Sequence, residues 1–149
     1  MDLFAGLRDS YLTVGLSDED VRVLVSLADE VSYHDLEEIV RHGTNATEFF
    51  VLLDGKAVVQ SPDGQTMSRL QPYAIIGEMA LLAQGPRTAT VTSDGGCVLA
   101  KFKSERLEQL MQDHPKIGVN LLRNVGATVV ERLRSANLQL ERLLVLEGF

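Results

Sequence analysis

The sequence has no tryptophan, a single cysteine, three histidines and no apolar run long enough to span a bilayer. With Cys97 alone there can be no intrachain disulfide and no thiolate metal cluster, and the expected role of this thiol is that of a small apolar strand residue. His34, His42 and His114 are scattered, none of them paired at ligand spacing, so no metal site is expected. His42, beside Gly43, reads as a polar turn residue. No Ser–His–Asp or Cys–His set, no paired acid–base carboxylates and no P-loop stand out, so no catalytic residue is assigned. The N-terminus lacks a basic region followed by an apolar stretch, and no segment approaches a membrane span. Basic residues are also in deficit, with 14 Lys and Arg against 21 Asp and Glu and a net charge of −7. A domain that meets DNA through its phosphates carries the opposite balance, so direct nucleic-acid binding is not expected. A small anion is a different matter, because a local nest of N–H groups plus one arginine outweighs a screened overall charge. A reducing, cytoplasmic setting is the expectation.

What remains is an ordinary globular profile, 45% hydrophobic and 23% charged over 149 residues, enough for one domain with a proper core. Residues 1–30 read as an N-terminal helical segment. Leu3, Phe4 and Leu7 form a short amphipathic turn, and Ser17-Asp18-Glu19-Asp20 is an N-cap with an acidic first turn. Val21, Leu24, Val25, Leu27 and Ala28 then carry helical spacing to about residue 30. Residues 31–103 change to short apolar segments broken by turn signals. Glu48–Leu53 ends at Asp54-Gly55, a hairpin signal that predicts Lys56–Gln60 as its partner strand. Pro62-Asp63-Gly64 and Asp94-Gly95-Gly96 are further turns, with strands over Gln65–Leu70, Thr88–Thr92 and Cys97–Phe102. Strands at such short, regular spacing argue for a sandwich or a jelly-roll barrel. Gly43 and Gly55 are expected at positive φ.

Residues 104–149 read as a hinge and a long helix. Ser104 caps a helix to about Gln112, His114-Pro115 closes it, and a second helix runs from Pro115 to about Leu144. Its seam, Leu122, Val125, Val129, Leu133, Ala136, Leu140 and Leu143, steps by three or four as a coiled coil does. Past Ala136 a small barrel has no surface left to cover it. A two-fold homodimer through residues 117–144 is therefore predicted, with the apolar tail Leu143-Leu144-Val145-Leu146 as a contact for another protein.

The segment around which the chain is organised is Gly77-Glu78-Met79-Ala80-Leu81-Leu82-Ala83-Gln84-Gly85-Pro86-Arg87-Thr88-Ala89-Thr90. It follows an apolar strand end, Tyr73–Ile76, and encloses one short helical turn from Met79 to Ala83. A helix start offers unpaired N–H groups and a positive dipole end, which suit an anion such as phosphate. Arg87, at the far lip, can close on the same anion through charge-assisted hydrogen bonds. Glu78 sits at the helix entrance, where a carboxylate repels bare phosphate unless it faces a hydroxyl. A phosphate on one side and a sugar hydroxyl on the other describe a nucleotide.

The string Gly77-Glu78-Met79-Ala80-Leu81-Leu82 followed by Arg87-Thr88-Ala89-Thr90-Val91 resembles the phosphate-binding cassette of cyclic-nucleotide-binding domains, and the resemblance covers roughly residues 16–135. It implies a jelly-roll β-barrel carrying the cassette (residues 77–90) and a long C-terminal dimerisation helix, a mainly β fold with flanking α. It further implies a ligand, cAMP or cGMP, and no separate cofactor. Glu78 would accept from the ribose 2′-hydroxyl and Arg87 would pair with the cyclic phosphate. The backbone of Gly77 and Ala80 would approach the ligand, Thr88 would lie beside phosphate and base, and Met79 and Ala89 would belong to the same ligand-binding set. A threonine at Thr88 makes cGMP acceptable without excluding cAMP. Lid contacts to the base are expected from the long helix, with Thr128, Arg132 and Ser135 as candidates. The pattern departs from the family at Gly43-Thr44, where Gly-Asp is common, and at Asp35, where glycine is common; both bear on turn geometry. The sequence ends without a winged helix-turn-helix, so the expectation is a non-catalytic receptor that acts through an unidentified protein partner. Two rivals stand beside it: a dimeric adaptor with a vestigial pocket, and a cupin-like enzyme, which would need a His and Glu metal cluster.

Overall fold

The computed structural model describes residues 1–83 and 85–146; Gln84, within the cassette, and residues 147–149, the end of the expected 104–149 segment, lie outside the described residues. The chain runs through α1 (Leu3–Arg8), a 3-10 turn (Tyr11–Thr13), α2 (Asp18–Val25), β1 (Asp29–Tyr33), β2 (Glu38–Val40), β3 (Glu48–Gln60), β4 (Thr66–Leu70) and β5 (Ile75–Ile76). Then come α3 (Met79–Leu82), β6 (Thr90–Lys103), α4 (Ser104–Asp113) and α5 (Pro115–Leu146). All strand pairs are antiparallel. The sheet order is β1-β6-β3-β4, with β2 also paired to β6 and β5 to β3. This six-stranded antiparallel arrangement with flanking helices has the jelly-roll form expected.

β3 explains why the core has two parts. Its first half, Glu48–Leu53, is a continuous apolar run because both faces are covered. Phe49, Val51 and Leu53 point to a cluster formed with α1, α2, α4 and α5, including Leu24, Leu107, Leu121 and Val125. Phe50 and Leu52 point the other way, into the barrel, against Ile39, Ile76, Val91 and Leu99. Cys97 lies in that second cluster, and burial pushes its thiol pKa up, which disfavours the reactive thiolate.

The hairpin expected at Asp54-Gly55 is not there. β3 continues through it, and Lys56–Gln60 pairs with β6 rather than with Glu48–Leu53. The expected turn at Asp94-Gly95-Gly96 likewise lies inside β6. The two glycine sites oppose each other: the register shifts between Leu52 and Asp54 and again between Gly55 and Lys56, with Gly55 opposite Cys97. Gly55, at φ +81°, and Gly95 and Gly96, at +80° and +97°, supply the backbone that a matched pair of bulges requires. Local turn signals were thus used to bend two strands together. Gly43 also has the positive φ expected, +83°.

Two helix limits and one strand limit differ from the reading of the sequence. α2 stops at Val25 because Ser26 caps it, and the strand that follows begins at Asp29. Its start is as expected, with Ser17 Oγ accepting from the Asp20 N–H at 3.2 Å. Lys103 occupies the cap of α4 and Ser104 is its first helical residue. The strand after the cassette starts at Thr90, not Thr88, because Thr88 and Ala89 remain in the bend that lines the cavity. Asp35, in place of a glycine, accepts from the Gly95 N–H at 2.6 Å, and the positive φ of that turn falls on Leu36, at +67°.

α5 is seated by its first third. Ile117, Gly118, Leu121 and Val125 are its buried residues. Asn120 Nδ2 donates to Val14 O at 2.7 Å, and Asn124 Nδ2 donates to Leu12 O at 2.7 Å and to Val14 O at 2.9 Å, so the N-terminal segment is clasped against the helix. Beyond Val125 the seam emerges: Leu133 is 58% exposed, Leu140 56% and Leu143 57%. No helix among the described residues is long and apolar enough to cross a membrane.

Candidate functional site

The cassette sits where β5 turns into α3 and returns through Arg87 to β6. Gly77, at φ +79°, makes the entry, and a Cβ there would collide with Arg87 Nη1 and lie 3.1 Å from Glu48 O. The segment before Arg87 is strapped to the β2–β3 loop: Arg87 N–H donates to Thr44 O at 2.7 Å, Gly43 N–H to Arg87 O at 2.9 Å, and Ala46 N–H to Gly85 O at 3.2 Å. Within α3, Ala80 N–H is spent on Gly77 O at 3.0 Å, and Leu81 and Leu82 N–H on Glu78 O. The N–H groups of Glu78 and Met79 have no backbone acceptor among the described residues.

A cavity of about 220 Å³ opens behind this segment. Of the residues singled out in the cassette, Gly77, Glu78, Met79, Arg87, Thr88 and Ala89 line it. Ala80 does not; it faces a cleft on the other side of the cassette, with Asn45, Glu48 and Glu108. Apart from Arg132, the remaining wall is apolar and comes from five strands: Val40, Val59, Met67, Leu70, Ile75, Ile76 and Val91.

Arg87 is the unusual group, a cation only 7% exposed. Its Nη2 donates to Glu48 O at 2.6 Å and its Nη1 to Gly77 O at 3.4 Å. Burial lowers its pKa, and the carboxylates of Glu48 and Glu78 oppose that shift. Glu48 is itself paired with Lys101 at 3.2 Å. No carboxylate oxygen lies within ion-pair distance of Arg87 among the described residues, so a buried positive charge is held by carbonyl oxygens alone. That suits an anion arriving from the cavity.

Glu78 stands at the cap position of α3 without bonding to that helix. Its Oε2 accepts from Arg132 Nη1 of α5 at 2.8 Å, across 54 residues of sequence. Arg132 Nη2 also donates to Ile75 O. The three lid candidates are therefore separated. Arg132 enters the cassette cavity; Thr128 lines a neighbouring cavity of about 500 Å³, shared with Tyr11, Pro72 and Asn124; Ser135 is exposed and lines neither. Thr128 Oγ1 donates to Asn124 O at 3.2 Å, within its own helix. Leu70, Ile75 and Arg132 form the partition between the two cavities.

Reading the sequence missed the apolar wall and the two carbonyls, Glu48 O and Ile75 O, that hold the arginines. Alternation marks Val59 and Val91 as inward-facing, but nothing local says that Met67 and Leu70 of an exposed edge strand close the same space. The partner of Glu78 was equally hidden, because it depends on how α5 seats on the barrel.

Residues 30–114, over half of the chain, match the family model described as cyclic nucleotide-binding domain. Among curated proteins, "Glutaminase 1" of Bradyrhizobium diazoefficiens is 28% identical over 92% of this chain and 22% of its own length. The cAMP-dependent protein kinase regulatory subunit of Dictyostelium discoideum is 36% identical over 58% of this chain and 29% of its own. The chain thus spans less than a third of either relative. Among solved structures, a cyclic nucleotide-binding domain from Methylobacillus flagellatus superposes with a TM-score of 0.82 at 24% identity, covering 89% of this chain and 79% of that one.

Proposed function

Because the chain belongs to the cyclic nucleotide-binding domain family, we propose that it is a non-catalytic sensor of cAMP or cGMP that passes the binding signal to a partner protein through its C-terminal helix. The observation that carries this reading is Arg87, a buried cation aimed into the cavity and held only by carbonyl oxygens. In the proposal the cyclic phosphate pairs with Arg87 and with the N–H groups at the start of α3, Glu78 takes the ribose hydroxyl, and the base rests on the apolar wall beside Thr88 and Ala89. The N-terminal helical segment and the hinge with its long helix turn occupancy of the cassette into movement of α5. For such a switch the ligand must bind one arrangement of α5 better than the other.

The output side of the proposal rests on the outer half of α5. Two-fold pairing through residues 117–144 would cover Leu133, Leu140 and Leu143, and the tail beyond would meet the partner protein. Substituting aspartate at both Leu133 and Leu140 is expected to turn a dimer into a monomer in sedimentation at tens of micromolar. A wild-type chain that sediments as a monomer there sinks the dimer. The glutaminase match, which takes in nearly the whole of this chain and a small part of that protein, supports a module whose output goes to another polypeptide or another part of its own. A reducing, cytoplasmic setting belongs to the same reading and suits a sole, buried cysteine.

One observation favours the adaptor with a vestigial pocket: the cavity, at about 220 Å³, is below the roughly 300–1,000 Å³ of ordinary ligand pockets. Calorimetric titration with cAMP and cGMP, with linear AMP as control, separates the two. The sensor reading expects micromolar or tighter binding of at least one cyclic nucleotide, about 8 kcal/mol or more, and silence from AMP. No heat and no thermal shift with either cyclic nucleotide would leave the adaptor.

A further inference from the structure

The cavity beside the cassette, about 500 Å³ in volume, falls inside the roughly 300–1,000 Å³ of ordinary ligand pockets. Stretches far apart in sequence wall it: Tyr11 and Val14 from the N-terminal segment, Leu70, Pro72 and Ile75 from the end of β4 to β5, and Ala127 from α5. Ala127 and Thr128 take no part in the cassette cavity, so nucleotide binding there gives this second space no role.

The cavity is held open. The turn over residues 71–74 closes with Ala74 N–H on Gln71 O at 3.2 Å, and β3 fixes it, with Tyr73 N–H on Leu52 O at 2.6 Å and Leu52 N–H on Ala74 O at 2.9 Å. Tyr73 stands at φ +78°, a conformation that strains an L-residue and persists only where its surroundings over-determine it. Opposite, the asparagine clasp fixes the N-terminal segment to α5. Tyr11 and Val14 at the lip nevertheless stay 59% and 60% exposed. A second copy pairing along the seam would not cover them. At about 100° per residue, Asn124 and Glu131 lie about 160° round α5 from Leu122 and Leu133.

The chemistry of the wall selects the ligand. Its charged residues are already paired: Arg69 with Asp94 at 3.6 Å, Glu131 with Arg134 at 2.9 Å and Arg132 with Glu78 at 2.8 Å. None is a buried cation held by carbonyls alone, as Arg87 is, so an ion entering here would lose its water without gaining a partner. The half-buried polar side chains on α5 have spent their donors, Asn124 Nδ2 on Leu12 O and Val14 O, and Thr128 Oγ1 on Asn124 O. They offer the cavity acceptor oxygens only.

We propose that this cavity is a second ligand site, separate from the cassette, for an uncharged, largely aromatic molecule that carries a hydroxyl or N–H donor. Its rings rest on Leu70, Pro72 and Ile75 with Tyr11 folded over them, and its donor bonds to Asn124 Oδ1 or Thr128 Oγ1. Because α5 supplies one wall, an occupant ties that helix to the barrel one turn before Arg132 and acts on α5 without entering the cassette.

N-phenylnaphthylamine, an uncharged aromatic dye with one N–H that brightens on leaving water, tests this on the full chain. No cyclic nucleotide is added, so the result stands whether or not the sensor reading does. Saturation at one dye per chain with micromolar affinity is expected. Anilinonaphthalene sulfonate, the same skeleton with a charge, should bind at least about 10-fold more weakly, since its sulfonate finds no unpaired cation. Ala127→Trp, at an exposed position of α5, should fill the cavity and weaken dye binding at least about 10-fold. Val14→Asp, at the exposed lip, should do the same and decides the matter if Ala127→Trp does not fold. Leu133→Asp combined with Leu140→Asp should leave dye binding unchanged. No saturable binding by the wild type overturns the site. So does binding that survives both cavity variants or disappears with the Leu133 and Leu140 pair, which would put the dye on the apolar arm. Sulfonate binding as tight as that of the uncharged dye overturns the class of ligand.

Discussion

Arg87→Gln is expected to weaken cyclic-nucleotide binding by at least about 100-fold, because a hydrogen bond to a charged group is worth about 1.5–3 kcal/mol and a guanidinium can supply two to one phosphate. The geometry makes the residue hard to replace. Its guanidinium is already out of water, with its pKa lowered by burial, so its desolvation is settled before the ligand arrives. Its orientation is set by Glu48 O and Gly77 O, and its backbone by Thr44 and Gly43. Arg87→Lys should keep part of the affinity, since a lysine brings charge without the planar fork. The shorter glutamine withdraws the donor from Glu48 O, and a lost partner for a buried carbonyl costs about 1–3 kcal/mol. Thermal denaturation must therefore accompany the titration. A folded Arg87→Gln chain with wild-type affinity would remove the phosphate from this site.

The largest effect on stability is expected from Gly55→Ala, far from any ligand. Gly55 has φ +81°, and a Cβ there would collide with the carbonyl oxygen of Gly96 and stand 2.8 Å from Cys97 Cα. The left-handed backbone alone costs an L-residue roughly 1–2 kcal/mol. The collision adds to it, because both obstacles are backbone atoms of a paired strand and neither can swing aside. A total of at least about 3 kcal/mol is expected, or a fall in Tm of about 10 °C for a domain of this size. Gly64→Ala is the control: φ is similar, +87°, with nothing within 4 Å of the added methyl, so it should show the conformational part alone. Equal shifts for the two variants would mean that the contact between the bulges does not matter.

These two sites show what the sequence discloses and what it withholds. The cassette was legible because its information is local: a glycine entry, a short helix, a proline and an arginine lie within one stretch, and each constrains the meaning of the others. The strand at Glu48–Leu53 was legible in the same way, although its burial on both faces emerged only from the structure. Asp54-Gly55 misled for a physical reason. A positive-φ glycine after an aspartate serves a two-residue hairpin and a strand bulge equally well, and only the opposing glycines at 95 and 96, 40 residues on, select the bulge. Arg132 misled for another. The family resemblance offered it as a lid residue on α5, but its acceptor depends on the depth and rotation at which the helix seats. Those are set by Leu121 and Val125 in the core and by the asparagine clasp on Leu12 and Val14.

The seating of α5 also has a mechanical side. At 1.5 Å per residue the helix is about 48 Å long, and about 21 Å of it lies beyond Arg132. Its buried residues end at Val125, so the part beyond Arg132 is a rigid arm supported at one end. A tilt of only about 10° about Val125 would carry Leu146, about 32 Å away, about 5 Å sideways, the rise of one helical turn, while Arg132, about 10 Å out, moves about 2 Å. The protein thus has a built-in displacement gain: an adjustment of a couple of ångströms where Arg132 meets Glu78 becomes, at Leu146, a movement as large as the apolar side chains that line the arm.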